Sequence, residues 1–326
     1  MHNIFKQMVF AGTALVFGSF GMPERTKAQE FGRINSGIFN AVVQIKTPPT
    51  PGGGPLIGTA FLVSPSAGAD GRVYLVTNKH MVGIWKCPGD ELTEVYDWID
   101  VYFYRSGDPG GQTFKATRVA LREPSGHLDK HRVFAHQDTS VDVVAIDIDD
   151  EIHKPEEHVL YSYFTASYMV GFDRIDKQLT GVGDLVFALG YPKGITSLTT
   201  NHPIAKAAYL ASLPGERISI PVPCGPQPTG GRRIITVAGK ILIVDGLIQH
   251  GNSGSPVLLA GGTKVRHNPT TGGLEFSNVE IHNLVCGIVS FEVVGIDGQP
   301  GSGLTAVYSS DYILDVLNDG SKASGP

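Results

Sequence analysis

Residues 251–256 read Gly251-Asn252-Ser253-Gly254-Ser255-Pro256, and the rest of the chain takes its meaning from this turn. A serine hydroxyl is a weak nucleophile that becomes a strong one on a tight, glycine-flanked turn beside a general base. Glycine on both sides lets the backbone take positive φ and lets a substrate approach closely. In that conformation the N–H groups of Gly251 and Ser253 can converge on one point, where the oxyanion of a tetrahedral intermediate would sit. Glycine fills 41 of 326 positions, so a polar turn between strands is the competing reading until other segments supply a base.

The first such segment is Thr77-Asn78-Lys79-His80. It follows two apolar runs, Gly58-Thr59-Ala60-Phe61-Leu62-Val63 and Val73-Tyr74-Leu75-Val76, separated by the turn-rich residues 64–71. The pattern predicts a β-hairpin, with His80 just past the end of its second strand. A base there can reach a serine on another element, although with 11 histidines in the chain an ordinary loop histidine is the competing reading. The second segment is Ser140-Val141-Asp142-Val143-Val144-Ala145-Ile146-Asp147-Ile148, nearly all apolar, with Asp142 at its start. A carboxylate beside a buried strand can accept the Nδ1–H of a histidine, fix its tautomer and stabilise the imidazolium. Of the rival acids Asp138, Asp147, Asp149 and Asp150, Asp147 falls on the opposite strand face from Asp142, and the last two read as a solvated strand end.

The order His80, Asp142, Ser253, each in its own context, resembles the chymotrypsin-like serine peptidases, most closely their bacterial trypsin-like branch. Residues 58–63 resemble a first-barrel strand of that family. Val182-Gly183-Asp184-Leu185-Val186-Phe187-Ala188-Leu189-Gly190-Tyr191-Pro192-Lys193-Gly194 resembles the segment that opens the second barrel. Asp245 to His250 leads into the nucleophile turn as in the high-temperature-requirement proteases, and Leu284 to Ser290 resembles the strand that runs along the substrate backbone. The resemblance spans roughly residues 37–318. It implies an all-β fold of two packed antiparallel Greek-key β-barrels, about 37–155 and 180–310. It also implies a serine endopeptidase with catalytic residues His80, Asp142 and Ser253, an oxyanion hole at Gly251 and Ser253, and no cofactor or metal.

The chain departs from the family in places. Wide spacings leave room for insertions at about 84–98, 122–137, 150–178 and 196–232. Ser255 follows Gly254 where glycine is commoner, as in the bacterial glutamyl endopeptidases, but the positions that bind an acidic side chain in those enzymes resemble Val289 and Ile248 here. The position that holds an acid in trypsin resembles Leu247. The pocket candidates Leu247, Ile248, Ser290, Phe291 and Gly303 therefore point to an uncharged small or aliphatic side chain at the cut. Glu292 either narrows the pocket mouth or faces solvent. No Arg/Lys-Ile-Val-Gly-Gly activation site occurs, so constitutive activity is expected. The alternative is a catalytically silent or occluded trypsin-fold scaffold.

Composition bounds the rest. The apolar fraction of 41%, with abundant Gly and Pro, fits one packed all-β domain with many turns. Net charge is −5 with mixed signs, and no basic run points to nucleic acid. The expected partner is a protein or peptide substrate, and a monomer is expected. Residues 1–28 read as a signal peptide: a basic start, a short apolar stretch from Met8 to Met22 and a cut after Ala28. That stretch is too short for a stable membrane span, so a secreted or periplasmic protein is expected. Of the cysteines Cys87, Cys224 and Cys286, the first two lie in proline-bearing loops and are the pair to test for a bridge; Cys286 reads as a buried thiol in a strand. His127, His131 and His136 lie close in sequence but read as a solvated loop rather than a metal site. Helical spacing of Met169, Phe172, Ile175 and Leu179 predicts a short interbarrel helix over 165–179. Ser310 to Leu317 predicts a C-terminal helix, with 319–326 as a tail.

Overall fold

The computed structural model describes residues 34, 36–49, 53–66, 71–85, 87–92, 94–105, 114–154, 159–175, 180–196, 201–226, 232–246, 249–267, 274–279, 284–294 and 302–323. The leader and the pocket candidates Leu247 and Ile248 lie outside these residues. In chain order the strands are β1 (Val42–Lys46), β2 (Ile57–Ser64), β3 (Tyr74–Thr77), β4 (Gly83–Ile84), β5 (Glu94–Val95), β6 (Trp98–Arg105), β7 (Phe114–Ala120), β8 (Val133–Ala135), β9 (Val144–Asp147), β10 (Val159–Leu160) and β11 (Phe164–Thr165). They continue with β12 (Leu185–Gly190), β13 (Ile204–Leu210), β14 (Ile218–Pro226), β15 (Arg232–Gly239), β16 (Ile241–Asp245), β17 (Pro256–Leu259), β18 (Gly262–His267), β19 (Leu274–Val279), β20 (Val285–Glu292) and β21 (Leu304–Ser309). Helix α1 spans Asp149–Ile152 and α2 spans Ser310–Ala323.

The first half is a nine-stranded sheet in the order β10-β6-β1-β2-β3-β9-β8, with β7 on β6 and β11 on β2. It forms a half-barrel. The second half closes completely, β12-β13-β16-β21-β20-β17 and back to β12. Its last strand returns to lie between β16 and β20, a Greek-key order. The two-residue side-chain period builds three cores from these strands. In β2, Ala60 and Leu62 face the first interior with Ile99, Val101 and Phe103 of β6. Phe61 and Val63 of β2 face the other way, into a core shared with Leu189, Leu258 and Ile288 of the second half. Val186, Leu242, Val257 and Val307 fill the second barrel. A fully buried Phe, Leu or Ile contributes about 1.5–3 kcal/mol against about 1 kcal/mol for a hydrogen bond, so the shared apolar core is the main bond between the halves.

The segment at 165–179 differs from the helix its periodicity predicts. It forms two single 3-10 turns, Ala166–Tyr168 and Phe172–Arg174, and residues 176–179 lie outside the described set. Between the turns, Met169 bridges Val285 and the Val170 N–H donates to the Val285 carbonyl at 2.9 Å. Pairing to β20 replaces helical hydrogen bonding. Helix α2 runs past Leu317 to Ala323, taking in residues expected as tail. Gly320 allows this, because a Cβ there would come within 3.0 Å of the Tyr74 ring. Asp311 docks the start of α2: its carboxylate accepts the Phe172 N–H at 2.6 Å and the Lys240 ammonium at 3.2 Å.

Cys87 and Cys224 are disulfide-bonded, with Cα atoms 5.1 Å apart. The bridge ties the loop after β4 to the β14–β15 hairpin. Cys286, in β20, is the buried free thiol, and burial pushes its pKa up to about 12. Among the described residues no helix is long and apolar enough to cross a membrane.

Candidate active site

The Ser253 turn is held by steric necessity. Gly251 has φ of +97° and Gly254 of +87°. A Cβ on Gly251 would fall 2.2 Å from the Tyr191 carbonyl oxygen. Within the turn, the Asn252 N–H donates to the Gln249 carbonyl and the Ser255 N–H to the Asn252 carbonyl. The Gly254 N–H goes to Val289 of β20 at 3.0 Å, and the Ser253 carbonyl accepts the Thr59 N–H of β2 at 2.9 Å. The turn is thus tied to both halves. Asn252 and Ser255 crowd their side chains over Gly190, where a Cβ would lie 2.0 Å from Ser255 Oγ.

The N–H groups of Gly251 and Ser253 have no partner among the described residues, as an anion-binding pair requires. A second constraint orients the first of them. The His250 carbonyl accepts the Lys193 N–H at 2.6 Å, and Lys193 itself adopts φ of 52° to make that contact. In a trans peptide the N–H points opposite to the carbonyl, so the Gly251 N–H is turned away from Lys193.

His80 sits in the 3-10 turn Lys79–Met81 directly after β3. Its Nδ1 lies 2.7 Å from Asp142 Oδ2, and its backbone N–H donates to Asp142 Oδ1 at 3.2 Å. The His80 side chain is 29% exposed and that of Asp142 1%, so one end of the imidazole is in the protein and the other is accessible. Burial opposes the imidazolium, but the charge of Asp142 and its hydrogen bond outweigh burial and raise the His80 pKa above its ordinary value. Asp142 is held from behind as well: Asn78 Nδ2 donates to its carbonyl at 2.7 Å and Ser290 Oγ to Oδ2 at 2.6 Å. Ser253 Oγ donates to the Ser290 carbonyl at 3.4 Å, its hydroxyl partner among the described residues. No hydrogen bond joins Ser253 Oγ to the His80 ring, a contact that is often long until substrate is bound.

His80, Gly251 and Ser253 open into one cavity of about 830 Å³. Its walls include Leu56, Ile57, Met81, Val289 and Phe291, with Lys193 and Glu292 among the charged members. Three of the five pocket candidates can be placed. Phe291 lines the cavity. Ser290 borders it but turns its hydroxyl to Asp142, so its side chain supports the carboxylate instead of facing substrate. Gly303 is not among the lining residues; its carbonyl accepts the Gly246 N–H at 3.1 Å, and Thr305, two residues on, reaches the wall instead. Thr59 was legible only as a strand residue. Its hydroxyl donates to the Gly251 carbonyl at 2.7 Å and accepts the Tyr191 N–H at 3.1 Å. His136 is drawn to Asp315 of α2, 3.4 Å away, and among the described residues no group of three or more His, Cys, Asp or Glu could hold a metal.

No curated protein matches this chain. Among solved structures, the Rv3671c protease from M. tuberculosis, active form, is similar over 96% of this chain and 92% of its own at 16% identity, with a TM-score of 0.40. A family model described as Trypsin-like peptidase domain matches residues 58–265, which takes in β2, the His80 turn, Asp142 and the Ser253 turn, and the chain belongs to that family.

Proposed function

We propose that this peptidase is a serine endopeptidase whose catalytic residues are His80, Asp142 and Ser253. The observation that carries the reading is the convergence, in one open cavity, of an Asp-bound imidazole, a serine on a tight glycine-flanked turn and two N–H groups with no partner among the described residues. Ser253 Oγ attacks the scissile carbonyl as His80 takes its proton. The N–H groups of Gly251 and Ser253 hold the oxyanion, and His80 returns the proton to the departing amine. Water then attacks the acyl-enzyme, giving up a proton to His80, and the carboxylic acid leaves as Ser253 Oγ regains its hydrogen. Asp142 keeps the Nδ1–H of His80 in place throughout. Protein or peptide is the substrate, and no step draws on a cofactor. The apolar wall supports an uncharged small or aliphatic side chain at the cut. The disulfide supports export to an oxidising compartment.

A fluorophosphonate probe tests the reading. The wild type should be labelled and Ser253→Ala should not. Because Asp142 raises the His80 pKa, the imidazole becomes neutral only at higher pH, so labelling should rise with pH through a midpoint above the ordinary histidine value of about 6.5. Asp142→Asn should lower that midpoint and slow labelling by roughly 10⁴-fold. One observation favours the silent scaffold, namely the Ser253 hydroxyl resting on the Ser290 carbonyl. A folded wild type that takes no label would establish that alternative.

A further inference from the structure

Lys79 stands next to His80 and is 2% exposed. A buried lysine normally has a charged partner, yet among the described residues this ammonium makes no ion pair. It donates instead to two main-chain carbonyls, His136 at 2.8 Å and Asp138 at 3.1 Å. Its neighbours grip the same stretch of chain. Asn78 holds the Asp142 carbonyl, and His80 meets the Asp142 carboxylate through its backbone N–H and its ring. Three consecutive residues thus clasp segment 136–142 at successive points, and Lys79 holds the end farthest from Asp142. Other ties reach the segment at its middle and ends: Gly89 N–H to the Thr139 carbonyl, Tyr308 hydroxyl to the Ser140 carbonyl at 2.6 Å, Ser290 hydroxyl to the Asp142 carboxylate and Gln137 Nε2 to Asp319 of α2, while the 136 and 138 carbonyls are held by Lys79.

We propose that Lys79 is a positioning residue: its protonated side chain clamps the 136 and 138 carbonyls and thereby sets the Asp142 carboxylate against His80. The inference rests on the serine peptidase reading and adds to it a group that acts through Asp142 without touching substrate. An ammonium hydrogen bond is about twice as strong as a neutral one, and a misplacement of about 1 Å at a catalytic group can cost about 10²-fold in rate. The clamp therefore works fully only while Lys79 keeps its third proton.

Burial pushes the Lys79 pKa down to about 8, against the pull of Asp142 and Asp138. Burial raises the Asp138 pKa, but the Ser140 hydroxyl and N–H, with the His136 ring and the Lys79 ammonium nearby, outweigh it and hold the carboxylate below its usual range. His136 accepts the Asp138 N–H at Nδ1 and faces Asp315 of α2, Asp142 is bound to His80, and on β21 the Tyr308 phenol is pushed up by burial. Acylation of Ser253 should then fall as pH rises through about 8. Stability should move the other way. Between the folded and unfolded lysine pKa values the unfolded chain binds the extra proton, so this group makes the fold more stable as pH rises.

The test is the rate of fluorophosphonate acylation of the full chain across this range, for wild type, Lys79→Arg and Lys79→Met, with thermal melting at each pH. The wild type should lose rate several-fold on the alkaline side with no fall in melting temperature. Lys79→Arg, which does not titrate there, should lose that limb when scaled to its own maximum. Lys79→Met should be slower by about tenfold or more at every pH. Coincident scaled profiles for wild type and Lys79→Arg, wild-type rates in Lys79→Met, or an alkaline loss that tracks melting would each overturn the proposal. If Lys79→Met does not fold, the wild-type and Lys79→Arg profiles decide. If no wild-type label appears, the peptidase reading fails on its own, and the clamp is judged by the low-field NMR signal of the His80 Nδ1 proton. That signal should weaken in the wild type above pH 8 and persist in Lys79→Arg; an identical pH course in both overturns the clamp.

Discussion

Gly254 fixes the Ser253 turn by close contact with the first half. A Cβ there would lie 1.9 Å from the Thr59 carbonyl oxygen and 2.5 Å from Thr77 Oγ1, in a left-handed conformation that costs a non-glycine residue about 1–2 kcal/mol by itself. Adding the strain of overpacking, Gly254→Ala should destabilise the protein by about 2–4 kcal/mol, measured as a lower urea midpoint, and should nearly abolish labelling of Ser253. A wild-type midpoint would mean that the contact with β2 is not what holds the turn. At this scale much was legible in advance. Ser253, His80 and Asp142 each stand in a local context whose residue types carry chemical meaning. The hydroxyl of Ser290 was not legible as a partner of Asp142. Strand periodicity says that Ser290 faces one side of β20, but only the packing of the two halves says that Asp142 waits there.

The β14–β15 hairpin and its disulfide make the case for whole elements. From sequence, residues 196–232 read as an insertion. In the fold, β15 pairs with β14 along nearly its whole length, then bends at Lys240 into β16, which pairs with β13 and β21. At the bend the Lys240 N–H donates to the Tyr312 hydroxyl of α2 at 2.9 Å. The bridge from Cys224 to Cys87 closes a loop over a sequence separation of 137. Replacing both cysteines with serine should therefore cost about 2–4 kcal/mol in urea unfolding. An unchanged midpoint would show that the hairpin is held by its apolar face alone.

Over the whole molecule, the site exists only where the halves meet. His80 and Asp142 come from the first half, Ser253 and its turn from the second, and Thr59 joins them through the Gly251 carbonyl and the Tyr191 N–H. Thr59→Val keeps shape but leaves both of those buried groups unpaired, at about 1–3 kcal/mol each. We expect acylation of Ser253 to drop by tenfold or more with a native circular dichroism spectrum, while Thr59→Ser, which keeps the hydroxyl, retains most of the rate. Equal rates for the two variants would remove Thr59 from the account. The chain's own order of residues was enough for the strands at its centre, the glycine-bounded serine turn, and the placement of His80 and Asp142 beside buried strands, since apolar period and turn chemistry are properties of near neighbours. Tertiary structure alone decided that the 165–179 segment pairs with β20 instead of coiling, that Ser290 supports Asp142, that Cys87 meets Cys224, and that Lys79 grips the 136–142 segment. Each of these depends on surfaces brought together from distant parts of the chain, and local patterning carries no record of which distant surface will arrive.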